Sequence, residues 1–158
     1  MYTAQASIRV DASQQRTWDY VSNFGNFDAW MSDIKEVKIL PDAESEWHLG
    51  GPLGIPVSWK AITTAIEVPR HLAWKSLEGD LQTSGFIKVE PDGTGSRITV
   101  NVEYIPPPGA IGEVFAEIFK DPQKMLEQNL EDLSHKLSKL PEDGIRNIQT
   151  QLEARVTS

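Results

Sequence analysis

The chain reads as an α+β domain: a curved antiparallel β-sheet wrapped around a long C-terminal α-helix, with two short helices after the first strand. Three observations carry that expectation. From Arg97 to Tyr104 apolar and polar residues alternate without a break, Ile98, Val100, Val102 and Tyr104 against Arg97, Thr99, Asn101 and Glu103. One face is then buried and the other wet, as in an antiparallel sheet covered on a single side. Leu126, Leu130, Leu133, Leu137 and Leu140 follow in steps of 4, 3, 4 and 3, which puts one apolar stripe on one face of a helix. Before that stripe the chain breaks into short strand patterns separated by turn residues, an order that suits a sheet built to receive the helix.

Composition bounds the possibilities. At 158 residues the chain suits one domain, able to bury ~70% of its unfolded surface. Its hydrophobic fraction of 39%, with five Trp and five Phe, is that of a globular protein. The balance of 23 acidic against 15 basic residues, net −8, argues against general nucleic-acid binding and against electrostatic attachment to anionic lipid. Without cysteine there is no disulfide framework, no thiolate chemistry and no Cys-based zinc site. MYTAQASIRVDAS lacks the basic region and apolar run of a signal peptide, and no run approaches the ~18 apolar residues of a membrane span. The expectation is a soluble cytoplasmic protein with no stable membrane insertion.

In chain order, Thr3 to Val10 alternates weakly and reads as the opening strand. Ser13 is placed to cap a helix running through Ser22, with Thr17, Trp18 and Val21 on its inner face. Phe24, Phe27, Trp30 and Met31 are spaced like one or two helical turns with Gly25 as a break. These aromatics either plug one end of the core or line a cavity mouth. Ile34 to Leu40 is the second strand, with Val37 and Ile39 inward and Lys35 and Lys38 outward; Pro41-Asp42-Ala43 turns it. Ser45 to Leu49 is a short third strand. The Gly50-Gly51-Pro52-Leu53-Gly54 loop precedes a strand, whereas a phosphate-cradling loop opens a helix.

Val57 to Val68 is the longest strand, with Val57, Trp59, Ala61 and Thr63 on one face. His71 to Leu77 returns with Leu72, Trp74 and Ser76 together, and Gln82 to Glu90 follows with Gly85, Ile87 and Val89 inward. Pro91 to Gly95 is a turn, and Arg97 to Tyr104 the last strand. Pro106-Pro107-Pro108-Gly109 stops the sheet. A first helical segment carries Ile111, Val114, Phe115, Ile118 and Phe119. Asp121-Pro122 then reads as a cap with proline at the first helical position, a kink or restart before the leucine stripe. Residues 1–140 form the expected domain. Residues 141–158 form a polar tail, expected to be dispensable for folding.

Little in the sequence points to catalysis. His48, His71 and His135 show no metal-site spacing, no Ser sits in a nucleophile elbow, and the carboxylates fall outward or in turns. No metal, nucleotide or other cofactor is expected. The inward faces supply Thr63, Ser76 and Tyr104 as polar groups among apolar ones, the usual make-up of a small-molecule site.

The segments NFDAWMSDIKEVKIL, GGPLGIPVSWKAIT, LAWKSLEG, SGFIKVEPDG and TVNVEYIPPPG, in that order, resemble the bacterial polyketide cyclase/dehydrase-like branch of the START-like (SRPBCC) superfamily. The resemblance spans about residues 3 to 140. It implies the helix-grip fold, in which sheet and C-terminal helix enclose a cavity for apolar small molecules. Relatives include aromatic polyketide cyclases, coenzyme Q-binding proteins, lipid-transfer domains and hormone receptors.

Three functions follow as expectations. The first is binding or carrying an apolar lipid, quinone or polyketide-like molecule. The second is a cyclase or dehydratase-like enzyme without metal or nucleotide, for which the scarcity of inward acids and bases is unfavourable. The third is an interaction or co-chaperone-like protein whose core is filled. For the first, Trp59, Ala61, Thr63, Trp74, Ser76, Ile87, Val89, Val100, Val102 and Tyr104 are expected on the sheet side of a cavity. Phe115, Ile118, Phe119, Leu126 and Leu130 are expected to roof it.

Overall fold

One antiparallel sheet of seven strands, in the order β1-β7-β6-β5-β4-β3-β2, carries the domain. The structure is a computed structural model describing residues 2–50, 56–109, 112, 113, 116 and 121–138. Its elements are β1 (Tyr2–Val10), α1 (Gln14–Val21), a 3-10 helix (Phe24–Ala29), β2 (Ile34–Ile39), β3 (Glu44–Leu49), β4 (Val57–Glu67), β5 (His71–Gly79), β6 (Gln82–Asp92), β7 (Gly95–Ile105) and α2 (Pro122–Ser138). The fold is the expected α+β helix-grip arrangement, a curled sheet with a C-terminal helix on its inner side.

The chain starts on one edge of the sheet. The two short helices carry it to the opposite edge, and β2 to β7 then meander back until β7 pairs with β1. Ser13 caps α1, its side chain accepting from Arg16 N at 3.2 Å, and Thr17, Trp18 and Val21 are buried. Thr17 Oγ1 lies 2.8 Å from Ser96 Oγ, a buried tie between α1 and β7. The β6–β7 hairpin turns through Gly93 at φ 62°, with Asp92 paired to Gly95. Such a tight turn needs positive φ, which glycine adopts without steric cost.

Helix α2 links the two free edges of the sheet. At its start Asp121 Oδ1 accepts from Lys124 N at 3.0 Å, and Pro122 occupies the first turn, where its missing N–H costs nothing. Leu126, Leu130, Leu133 and Leu137 are buried, while Lys124, Glu127, Glu131 and Lys136 are exposed. Gln123 pairs with β1 in both directions: its Nε2 donates to Gln5 O at 2.7 Å and its Oε1 accepts from Gln5 N at 3.0 Å. A side chain here replaces the strand that β1 lacks on its outer edge. On the other side Asn129 Oδ1 accepts from Ser32 Oγ at 3.4 Å, just before β2.

Two local expectations are corrected. Gly25 does not break the aromatic segment; the 3-10 helix runs through it, with Gly25 N donating to Asn23 Oδ1 at 3.0 Å. Ile39 keeps the inward parity but is 60% exposed rather than buried. It shares the face of Val37, paired to Trp47, but sits at the far end of an edge strand where none of the described residues covers it. Residues 51–55 of the glycine-rich loop, Ile111, Val114, Phe115, Ile118 and Phe119, Leu140 and the tail lie outside the described residues.

The β2–β3 turn holds Asp42 at φ 61° and Ala43 at φ 62°. A left-handed conformation at alanine costs roughly 1–2 kcal/mol, partly offset by the greater unfolded-chain freedom of glycine. Ala43→Gly is therefore expected to raise the unfolding free energy by about 1 kcal/mol in urea denaturation. A loss of stability would contradict this turn geometry.

Candidate functional site

The inner face of the sheet divides along the strands into a solid half and a hollow half. In the solid half Val89 pairs with Ile98 and Ile87 with Val100, all fully buried, with α1 packed against both strands. Two rungs further along β6 and β7, Gly85 pairs with Val102 and Thr83 with Tyr104. There the core opens into a cavity of about 120 Å³ beneath the N-terminal half of α2. Trp47, Leu49, Trp59, Trp74, Leu81, Thr83, Val102 and Tyr104 form its sheet side, with Ala4 from β1. Pro122, Met125, Leu126 and Asn129 cover it from α2, and Phe27, Met31, Asp33 and Ile34 close the end.

Aromatic packing shapes the wall. Trp47 and Trp59, cross-strand partners on β3 and β4, stack with ring centres 6.0 Å apart and planes 9° from parallel. Phe27 meets Trp47 edge-on at 5.1 Å and Trp74 at 6.1 Å, so the 3-10 helix both plugs the core and borders the cavity. Trp74 has room because its partner on β6 is Gly85. A Cβ there would lie 2.4 Å from Asn101 O and 2.7 Å from the Trp74 ring. The small residue at 85 thus leaves space that the indole of Trp74 fills.

Few polar groups reach this wall. Trp47 Nε1 donates to Ser45 Oγ at 2.8 Å. Thr83 Oγ1 donates to Glu103 O at 2.8 Å. Trp59 Nε1 is buried with no hydrogen-bond partner among the described residues. Asp33 is half-buried, and burial pushes its carboxyl above the usual aspartate range. Asn129 is buried within the leucine stripe, its oxygen engaged by Ser32. Among the described residues there is no group of three His, Asp or Glu suited to a metal ion.

The expected site residues fall into four groups. Trp59, Trp74, Val102, Tyr104 and Leu126 stand together on the cavity wall. Ala61, Ile87, Val89, Val100 and Leu130 are buried in filled core and do not border it. Thr63 is half-buried away from the wall, its N donating to Ala43 O at 2.9 Å. Phe115, Ile118 and Phe119 lie outside the described residues. Ser76, also off the wall, borders a second opening. Strands β5 and β6 pair only from His71–Lys88 to Lys75–Ser84 and then part. Beyond that point Ser76 Oγ accepts from Thr83 N at 3.0 Å, and a groove of about 310 Å³ opens between the strands. The groove shares Leu81, Thr83 and Tyr104 with the cavity.

Sequence reasoning passed over Asp33, Asn129, Met125 and Ala4. Asn129 was detectable: it lies three residues after Leu126 and four before Leu133, a polar residue on the apolar stripe.

Burial, and secondarily the phenol of Tyr2, push the Tyr104 hydroxyl up to about 12 from 10.0. The two rings stack at 5.2 Å. The folded state therefore holds this proton more tightly than the unfolded chain. The stabilisation is complete below pH 10 and disappears as pH rises towards about 12. Over that interval the parent should lose stability with pH more steeply than Tyr104→Phe in urea titrations. Equal slopes would contradict the burial of this hydroxyl.

The model of the family described as polyketide cyclase / dehydrase and lipid transport matches residues 1–137. No functionally curated protein matches the chain. Among solved structures, a Deinococcus radiodurans protein superposes with a TM-score of 0.72 at 22% identity, over 87% of this chain and 98% of that one. A START superfamily protein from Mycobacterium smegmatis gives 0.65 at 17% identity, over 89% and 99%. The Zhui aromatase/cyclase from Streptomyces sp. R1128 gives 0.66 at 12% identity, over 88% and 94%. At these identities the likeness is one of fold.

Proposed function

The chain belongs to the polyketide cyclase/dehydrase and lipid transport family, and from that premise we propose that it binds or carries an apolar small molecule in the cavity beneath α2. The observation that carries this reading is the hollow itself: about 120 Å³ with aromatic walls beneath α2. Protein interiors pack to the density of organic crystals, and an apolar void of this order accepts a benzene-sized ring. A lipid, quinone or polyketide-like guest would insert one end here and extend outward. The gap between β5 and β6 supplies one route to it.

A second reading rests on Asp33. A carboxyl raised by burial on the wall of an apolar cavity is the kind of group that a cyclase or dehydratase uses as acid or base. In that reading Asp33 takes a proton from the carbon beside a substrate carbonyl, and Asp33→Asn abolishes turnover while leaving binding intact. An interaction protein with a filled core is disfavoured by the same hollow.

Native mass spectrometry of protein purified from its own host tests the binding reading, because a retained guest reports its own mass. The companion experiment titrates lipids, quinones and aromatic polyketides against intrinsic tryptophan fluorescence, since Trp47, Trp59 and Trp74 all border the cavity. A saturable change is expected. No retained guest and no response from any of the three classes would overturn the reading.

A further inference from the structure

We propose that the guest reaches the cavity through the sheet, by the gap between β5 and β6, and that Leu81 is the gate of this passage. The inference concerns access to the cavity and rests on the binding reading above. Hairpin strands ordinarily stay paired up to their turn. Here the pairing of β5 with β6 ends at Lys75–Ser84, although both strands run on. β5 stays paired with β4 as far as Gly79–Trp59, and β6 with β7 as far as Gln82–Ile105, so only their shared seam opens. The opening has a local cause. Lys60 pairs with Glu78 but Ala61 with Ser76, which leaves Leu77 as an extra residue in β5. Such a bulge bends and twists the strand that carries it. The turn is then held on β4: Asp80 N donates to Ser58 O at 2.8 Å, and Ser58 N donates to Asp80 Oδ2 at 3.1 Å.

The gap runs from the wet face of the sheet to its inner face. Lys75, Ser84 and Glu103 share one rung on the wet face and line the groove there, with Leu77 and Ile105, each 48% exposed, beside them. Leu81, Thr83 and Tyr104 line groove and cavity alike, so their side chains form the partition between the two. Thr83 and Tyr104 are fixed in paired strands, and Thr83 Oγ1 donates to Glu103 O. Leu81 belongs to neither strand and is 6% exposed, a side chain held in place by apolar packing. Turning it outward joins the groove to the cavity and costs that packing, while the strand ladders stay intact. Next to it Ser76 Oγ accepts from Thr83 N at 3.0 Å, a side-chain bond across the widening seam. A guest on the wet face meets Leu77 and Ile105 first, passes Leu81, and leaves its ring in the cavity.

The chain has no cysteine, so a bridge across the gap can be placed without competition. With Ser76 Oγ 3.0 Å from Thr83 N, the two Cα atoms are less than roughly 7 Å apart, within the reach of a disulfide. The experiment compares the oxidised and reduced forms of one protein, Ser76→Cys/Thr83→Cys, with acetophenone as an uncharged single-ring probe. Association and dissociation rates are read from the line shape of the methyl resonance of Met125, which borders the cavity from α2. The disulfide should slow both rates about tenfold and leave their ratio, the dissociation constant, nearly unchanged; reduction should restore both. Leu81→Ala in the parent chain should raise both rates. A gate changes the two rates together, whereas a residue that only packs against the guest changes dissociation alone. Equal rates in the oxidised and reduced forms would overturn the passage through the sheet while leaving the cavity reading intact. Failure of acetophenone to bind the parent and both forms would instead sink the cavity reading and this inference with it. Should the disulfide not form, Leu81→Ala decides: an unchanged association rate overturns the proposal.

Discussion

Leu133→Ala should lower the free energy of unfolding by about 2–5 kcal/mol, the range for removing a large aliphatic side chain from a packed core. Leu133 is 0% exposed and sits on the half of α2 that does not border the cavity. There the strand residues Ile87, Val89, Ile98 and Val100 are themselves fully buried, so the site has little freedom to collapse around the loss. The helix also links β1 to the segment before β2, through Gln123 and Asn129, so loosening it strains both edges of the sheet. Met125→Ala is the internal comparison. Met125 is half-buried and already borders the cavity, so truncating it enlarges an existing void and should cost distinctly less. Urea denaturation of both variants measures the difference. Equal costs would mean that α2 packs uniformly and that the division into solid and hollow halves is wrong.

Ala4→Phe should remove ligand binding without unfolding the protein. Ala4 is 4% exposed on the cavity wall, and a phenyl ring is of the size that a void of about 120 Å³ accepts. The new ring occupies the place of the guest, so the fluorescence response should disappear at every probe concentration while the unfolding transition survives. Ala61→Trp is the contrasting control. Ala61 is 0% exposed in filled core, where an added ring overpacks its neighbours at a cost of about 1–3 kcal/mol or more. If Ala4→Phe folds and binds as the parent does, the guest sits elsewhere.

The elements were legible in the sequence because they rest on local periodicity and local chemistry. The alternation from Arg97 to Tyr104 became β7, the leucine stripe became the buried face of α2, and Ser13 and Asp121 became caps. The position of the cavity was harder to read. A period of two tells which face of a strand is buried but not how far along the strand packing gives out. Hence Ile87, Val89 and Val100 share a face with the wall residues yet stand in the solid half. Gly85 shows the same limit: its smallness reads as leftover space until the register places Trp74 opposite it. Asp33 precedes an edge strand, and no pattern within one strand or one helix marks it as facing the interior. Ile39 follows the inward parity correctly, but exposure at the end of an edge strand depends on what covers it.

Methyl NMR of the methionines tests the central claim most directly. Met31, just after the 3-10 helix, and Met125, in the first turns of α2, border the cavity from different elements, so their methyl groups report its contents without altering it. Titration with acetophenone should shift both resonances saturably, with one common dissociation constant, and Ala4→Phe should abolish both shifts. If both resonances stay unchanged, or if they move equally in Ala4→Phe, the cavity beneath α2 does not receive the guest.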